Sequence, residues 1–236
     1  TQVSTPEGTF TVHTFLSDGQ FIIQNAEASK QLDLLMVGGG CPGENITNPS
    51  GIVGGGGGGG VVLVKNRAGL CQAATTYAVT VGDPTDNPLG TAGESTVAFG
   101  LTVGAGGPGG GQSNNAGAGG NFASGGGGGS NLSPGPKPGG AAGPVNFSPL
   151  QGSGGTTQSY GNAGGSGHGY NSQNHFGGGG GGAGGVGGNA SNTAPNGQTW
   201  GYAGDGGPGQ PINFDGTEYY YGAGGGGTMY VGQGGS

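Results

Sequence analysis

Long runs of this chain carry no side chain at all: residues 54–60 are seven consecutive glycines and residues 177–182 are six. Such a run has no apolar face to bury, and glycine loses more conformational freedom on ordering than any other residue. Ordinary packing of helices or strands cannot hold it. Seventy of the 236 residues are Gly and 6% are charged, against about 7% and about 25% in ordinary globular chains. With the 14 prolines, Gly and Pro make up about a third of the chain, a composition whose plainest reading is disorder. The ordered alternative requires a repeated backbone arrangement that satisfies the glycines from outside.

Glycine is unevenly spread. Residues 1–37 hold only Gly8 and Gly19, and residues 61–103 hold five, whereas 38–60 and everything from 104 onward are dense in it. The glycine-poor zones read as β-sheet. Thr9 to Phe15 and Gln20 to Ile23 flank Ser17-Asp18-Gly19, a hairpin signature. Leu32 to Val37 and Val61 to Val64 are further strands. Tyr77, Val79 and Val81 alternate with Thr76, Ala78 and Thr80, and Val97, Phe99, Leu101 and Val103 alternate with Thr96, Ala98, Gly100 and Thr102, the period of a half-buried strand. The stretch from Ala26 to Leu35, the one candidate for a helix, competes with a strand and loses.

In the glycine-rich zones a period of three recurs over short windows. Between Gly177 and Asn189 the substituted positions after the run are Ala183, Val186 and Asn189; Tyr202, Asp205, Pro208 and Pro211 repeat the spacing, as do Ala105 with Pro108 and Ala118 with Asn121 and Ser124. A polyproline-II-type helix has three residues per turn and no internal hydrogen bonds, so this spacing lines up the side chains and leaves two bare faces. Every buried N–H and C=O must then bond to a neighbouring rod, and several rods must bundle. The windows do not share one phase, which excludes collagen and predicts several short rods joined by turns. Gly179, Gly180, Gly184 and Gly185 are the expected rod-packing glycines, where a Cβ would force rods apart. The fold class expected is all-β plus polyglycine-II: a small β-sandwich or barrel module with strands in 8–37 and 61–103, packed on a bundle of short glycine-rich rods, with essentially no helix. The expected domains are 1–103, with a glycine-rich insert at 38–60, and 104–236.

Composition also narrows function. A net charge of −7 with four Lys and Arg in total argues against nucleic-acid binding. The longest apolar stretch, Leu34 to Val37, is far short of the ~20 residues of a membrane helix. Repeated GxGxxG matches carry no meaning without a strand-to-helix turn. No Ser-His-Asp or Cys-His order is defensible, and so few charges leave little for acid–base chemistry, so the chain is expected to be a non-enzyme without cofactor. No metal site is expected either: His168 and His175 lie seven residues apart in loops, and Asp83, Asp86 and Glu94 match no calcium-loop spacing. Cys41 and Cys71 are compatible with a disulfide and equally with two buried thiols. The chain opens on Thr1, and the expectation is a chain processed, trimmed or present only in part.

The order Thr9-Phe-Thr-Val-His-Thr-Phe15, then Leu34-Leu-Met-Val-Gly-Gly-Gly40, a glycine run into Val61-Val-Leu-Val64, Tyr77-Ala-Val-Thr-Val-Gly82, and Gly93-Glu-Ser-Thr-Val-Ala-Phe-Gly-Leu-Thr-Val-Gly-Ala-Gly-Gly107 resembles the glycine-rich domain of phage tail-fibre and other virion proteins. The glycine-rich region is also similar in kind to the polyglycine-II adhesins at the tips of T-even-like phage long tail fibres, and to the glycine-rich extracellular domain of the anaplastic lymphoma kinase receptor. The resemblance implies a rigid glycine bundle whose turns display loops to a host cell-surface receptor, protein or glycan, in a virion or extracellular setting. Such domains often finish with a closing apolar strand. Here the chain ends Tyr230-Val-Gly-Gln-Gly-Gly-Ser236, so the expectation is that this strand is missing or that another chain supplies it.

Aromatic residues give large contact area at low entropic cost and, with Ser, Asn and Gly, dominate adaptable binding loops. Tyr160, Tyr170, His175, Phe176, Trp200, Tyr202, Tyr219, Tyr220 and Tyr221 are therefore the expected receptor or partner contacts. Alternatively these rings cap and wedge the ends of the bundle. The competing function is a self-assembling subunit of a filament or capsid decoration, with rings buried between copies in a homo-oligomer or against other subunits. An ice-binding role is more remote, because glycine-rod antifreeze proteins keep one Gly-x-x register and this chain breaks it.

Overall fold

The computed structural model describes residues 1–5, 8–25, 30–43, 52–68, 74–83, 91–111, 122–130, 135–143, 155–169, 174–192 and 201–231. Cys71, Tyr170 and Trp200 lie outside the described residues. Among the described residues there is no helix, and every strand pairing is antiparallel.

The strands assemble into small separate sheets. β1 (Gln2–Thr5) and β2 (Gly8–Thr11) form a hairpin. Next come β3 (Gly19–Ile23), β4 (Gln31–Val37), β5 (Val61–Ala68) and β6 (Thr75–Thr80), followed by β7 (Thr96–Ala98) and β8 (Leu101–Val103). β3-β6-β7-β8 is one four-stranded sheet. β9 (Gly135–Lys137), β10 (Thr156–Tyr160), β11 (Gly167–Gly169) and β12 (Asn174–Phe176) come from the glycine-rich zone, as do β13 (Gln210–Asn213), β14 (Glu218–Tyr221) and β15 (Met229–Val231). β10 joins β5 and β4 in the order β10-β5-β4; β15-β12-β11-β9 is a second four-stranded sheet; β13 and β14 form a hairpin of their own. The final described strand, β15, pairs with β12 along Asn174↔Val231 and Phe176↔Met229.

β5 is the centre of the apolar structure because its alternation buries both faces. Val62 and Val64, with Met36, pack against Val79, Ala98, Leu101 and Val103 of the β3-β6-β7-β8 sheet. Val61 and Leu63 face the other way, onto Ala183 and Ile212. Val61, Val62 and Val64 are 0% exposed, and full burial of each contributes about 1.5–3 kcal/mol. The β10-β5-β4 sheet is thus a middle layer between a β-sheet and the end of a glycine segment. No closed barrel forms among the described residues, which corrects the barrel half of the expectation: β3 bonds only to β6 and β4 only to β5, so no ladder joins the two sheets edge to edge.

Two local expectations change. The Asp18-Gly19 corner does not close a hairpin; β2 pairs with β1, and β3 pairs with β6 through Phe21↔Tyr77. Asp18 Oδ1 instead accepts the Val81 amide at 2.8 Å, and Phe15 turns in to pack with Phe21 on the core. The alternation from 96 to 103 is not one strand but two. Phe99 and Gly100 have φ of 53° and 76°, the two positive values of a type I′ turn, which makes Ala98 face Leu101. Thr96 rather than Val97 then points inward, where its Oγ1 donates to the Val37 carbonyl at 2.6 Å and accepts the Gly82 amide at 3.0 Å.

The glycine segments bond to one another mainly through backbone, with Asn162 Nδ2 also donating to the Gly182 and Ala183 carbonyls, and the backbone partner recurs every third residue. Gly54 and Gly57 donate to Gly110 and Gly107, whereas Gly55 and Gly58 donate to Gly178 and Gly181. In 177–183, Gly177, Gly180 and Ala183 donate to Thr228, Gly225 and Gly222; Gly178 and Gly181 donate to Gly128 and Gly125; Gly179 and Gly182 donate to Gly188 and Gly185, all at 2.8–2.9 Å. The same segment accepts from Gly55 and Gly58, from Gly204 and Gly207, and from Gly165. It therefore touches six stretches of chain, where a strand in a sheet has two neighbours. Close approach makes glycine obligatory: an ideal Cβ at Gly179 would collide with the Asp205 carbonyl, at Gly180 with that of Gly56, and at Gly184 with that of Gly209. Gly185 differs, since its Cβ would meet only the Pro208 ring, at 3.1 Å.

Candidate functional site

The β13–β14 hairpin projects aromatic side chains from a rigid base. Its corner, Phe214-Asp215-Gly216-Thr217, is closed by short polar side chains bonding nearby amides, as such turns require. Asn213 Oδ1 accepts the Gly216 amide at 2.9 Å and Asp215 Oδ1 accepts that of Thr217 at 3.2 Å, while Gly216 takes a φ of 95°. Register places Gln210 opposite Tyr221 and Ile212 opposite Tyr219 on one face, with Pro211 opposite Tyr220 and Asn213 opposite Glu218 on the other.

The first face is anchored. Ile212 is buried beside Val61 and Leu63, with Phe214 and Tyr221 packed on the same cluster. Tyr219 leans on Tyr221 edge to face, centroids 6.4 Å apart. Burial first, then the neighbouring Asp215 carboxylate and Tyr219, push the Tyr221 hydroxyl above its ordinary value. The second face is open: Tyr220 is 69% exposed, and Pro211, Asn213 and Glu218 are exposed beside it.

A second exposed group lies at the β15 edge. Tyr202 exchanges backbone hydrogen bonds with Ser191 at 2.9 and 3.1 Å, and Met229 and Tyr230 lie opposite Phe176 and His175. Tyr202, Met229 and Tyr230 all have exposed side chains.

The remaining candidates sit inside. His175 and Phe176, expected at the surface, are buried: they project from opposite faces of β12, His175 onto Ser130 and the Phe176 ring against the chain at Gly201. Ser130 Oγ donates to the His168 carbonyl at 3.1 Å and lies 3.3 Å from His175 Nδ1. With the serine proton committed to that carbonyl, Nδ1 is the donor and the tautomer is assigned by this network. Tyr160 ends β10, packs on the Val61 cluster and donates its hydroxyl to Gln158 Oε1 at 3.0 Å; it is a sheet residue and not a loop contact. Cys41 is a free thiol whose Sγ–H donates to the Thr91 carbonyl. Burial pushes it up to about 11, against a lowering contribution from the Gly93 backbone. Among the described residues no three His, Cys, Asp or Glu side chains gather as a metal site would need.

The sequence does not single out Glu218, Met229 or Tyr230 as contacts, and it reads Pro211 as the end of a period-of-three line where the structure has it in β13. For Pro211 and Glu218 a signal existed: Asp215-Gly216 between Ile212 and Tyr219 is the hairpin signature read at Asp18-Gly19. No family model matches the chain, and no curated protein or solved structure is significantly similar to it.

Proposed function

We propose that this chain is a virion or extracellular structural protein, a phage tail-fibre or adhesin component, in which a polyglycine-II bundle holds tyrosine-bearing turns toward a host cell-surface receptor. The scaffold half of the reading is supported by the threefold recurrence of hydrogen-bond partners. In a helix with three residues per turn, amides i and i+3 point the same way and each must find an outside acceptor. Close-packed rods place six around one, the number of stretches that bond to 177–183.

The observation that carries the recognition half is Tyr220, a ring 69% exposed on a hairpin whose opposite face is fixed in the core. A scaffold whose interior positions cannot accept a Cβ leaves its edges as the place where sequence can vary, and the exposed rings Tyr219, Tyr220 and Tyr230 lie there on the short strands β14 and β15. The reading includes no catalytic residue, no cofactor and no nucleic-acid partner; a non-enzyme of this kind works by display.

Electron microscopy of the native assembly, with an antibody fragment against this chain, tests it. Label confined to fibre tips is the expected result. Label repeating along a filament or over a shell would overturn the receptor role and make the chain a building block, with its exposed rings as subunit contacts.

A further inference from the structure

Building on that reading, we propose that the outward face of the β13–β14 hairpin is a binding site for a neutral pyranose unit of a surface glycan, with Tyr220 as the stacking ring and Glu218 with Asn213 as the hydroxyl-binding pair. A pyranose has an apolar face of C–H groups and a rim of hydroxyls that both donate and accept. It is recognised by a flat apolar surface with a small number of well-placed polar groups beside it.

The hairpin supplies both in adjoining rungs of its ladder. Tyr220 stands directly opposite Pro211, so ring and pyrrolidine form one apolar step. Glu218 stands opposite Asn213 in the next rung on the same face, two residues or about 7 Å along the strands. Asn213 Oδ1 is occupied by the Gly216 amide, which turns its NH2 into the available donor, and the Glu218 carboxylate is an acceptor. A sugar ring on Tyr220 thus has its hydroxyl edge, or the next unit of the chain, within reach of one donor and one acceptor.

Charge selects among glycans. The chain carries a net charge of −7, and Glu218 sits in the site itself, so sialylated, sulfated or phosphorylated sugars are repelled. A protein partner is disfavoured by area: the inner face is anchored on the core through Ile212 and Tyr221 and leaves only Tyr219 half-exposed, and the open face alternates one apolar rung with one polar rung, whereas the centre of a protein interface is depleted in charge. Tyr220 stands on a paired hairpin, so its backbone is ordered before the ligand arrives and only side-chain freedom is lost on binding.

The test uses the full chain over immobilised maltotriose, cellotriose, chitotriose, and a sialylated and a sulfated trisaccharide. Capture of at least one neutral member is expected. Y220A should lower its affinity by about tenfold or more, the scale of one lost aromatic contact, while Y220W retains it and E218Q weakens it several-fold. Thermal unfolding of Y220A should match the parent, since the ring is exposed. Capture of none of the neutral sugars, capture of anionic sugars only, or equal capture by Y220A would each refute the site. The two proposals fail separately: tip labelling with no sugar captured leaves the adhesin reading standing and removes the glycan, whereas shaft labelling with Tyr220-dependent capture does the reverse.

Discussion

Replacing Gly180 with Ala adds one methyl group where chain segments pack backbone to backbone. That carbon would run into the Gly56 carbonyl, which already accepts the Gly225 amide at 2.9 Å. To reach the ~3.5 Å of a normal contact the two segments must move apart by on the order of 1 Å. The bonds that hold them, Gly55 to Gly178 and Gly58 to Gly181, both 2.9 Å, stretch with that movement. Leaving one or two buried backbone groups unpaired costs about 1–3 kcal/mol each, offset by about 0.4–1 kcal/mol from the stiffer unfolded chain. A net loss of about 3 kcal/mol lowers Tm by about 6–12 °C in a chain of this size. Gly226 is the internal control, because its Cβ would find nothing nearer than the Gly204 carbonyl at 3.9 Å. There the unfolded-state effect acts alone, and Ala should raise Tm by about 1–4 °C. Differential scanning calorimetry of both variants reads opposite signs if backbone contact is what glycine serves. Equal shifts, or an unchanged Tm for Gly180→Ala, would falsify the argument.

Other perturbations probe single groups. Thr96→Val keeps the shape but strands the Val37 carbonyl and the Gly82 amide, so urea unfolding should show a loss of about 2–4 kcal/mol, with Thr96→Ser largely restoring stability. Ser124 is 0% exposed and its hydroxyl has no partner among the described residues; Ser124→Ala should be neutral or stabilising by up to about 2 kcal/mol, and a clear destabilisation would reveal an unrecognised partner. The Cys41 thiol, pushed up to about 11 from 9.0, should alkylate slowly at pH 8 and gain rate toward pH 11, read by mass spectrometry of its own peptide. The folded state keeps that proton while the unfolded state loses it, so this group's contribution to stability falls as pH rises from about 9 to about 11; Cys41→Ala should flatten that part of the curve.

How far the sequence reveals this fold depends on whether side chains or backbone decide it. β6 is legible because Tyr77 and Val79 alternate with Thr76, Ala78 and Thr80 and burial follows the alternation, and β4 and β5 are legible as the apolar runs Leu34 to Val37 and Val61 to Val64. Asp18-Gly19 misled because a turn signature reports local geometry, and the tertiary bond from Asp18 to the Val81 amide redirected the chain. At Phe99-Gly100 a bulky residue at positive φ hid a turn inside an apparently continuous strand. In the glycine segments the sequence shows a period of three, but the window 177–189 that this spacing joins into one line folds back on itself, with Gly182 donating to Gly185 and Gly179 to Gly188, and nothing in a row of identical residues says which neighbours they meet. In the candidate site the tyrosine triplet stood out by composition. The same criterion selects His175 and Phe176, although contacts with Ser130 and with the chain at Gly201 on the two faces of β12 place them inside.

The recurrence of partners along 177–183 also imposes a reading frame on length changes. Adding or removing one residue there would present every later amide to the wrong neighbour, whereas a change of three would restore the pattern downstream. Segments that join the glycine stretches carry no such restriction. Viable length variants of this protein should therefore fall in its turns in any size, and within its glycine stretches in triplets.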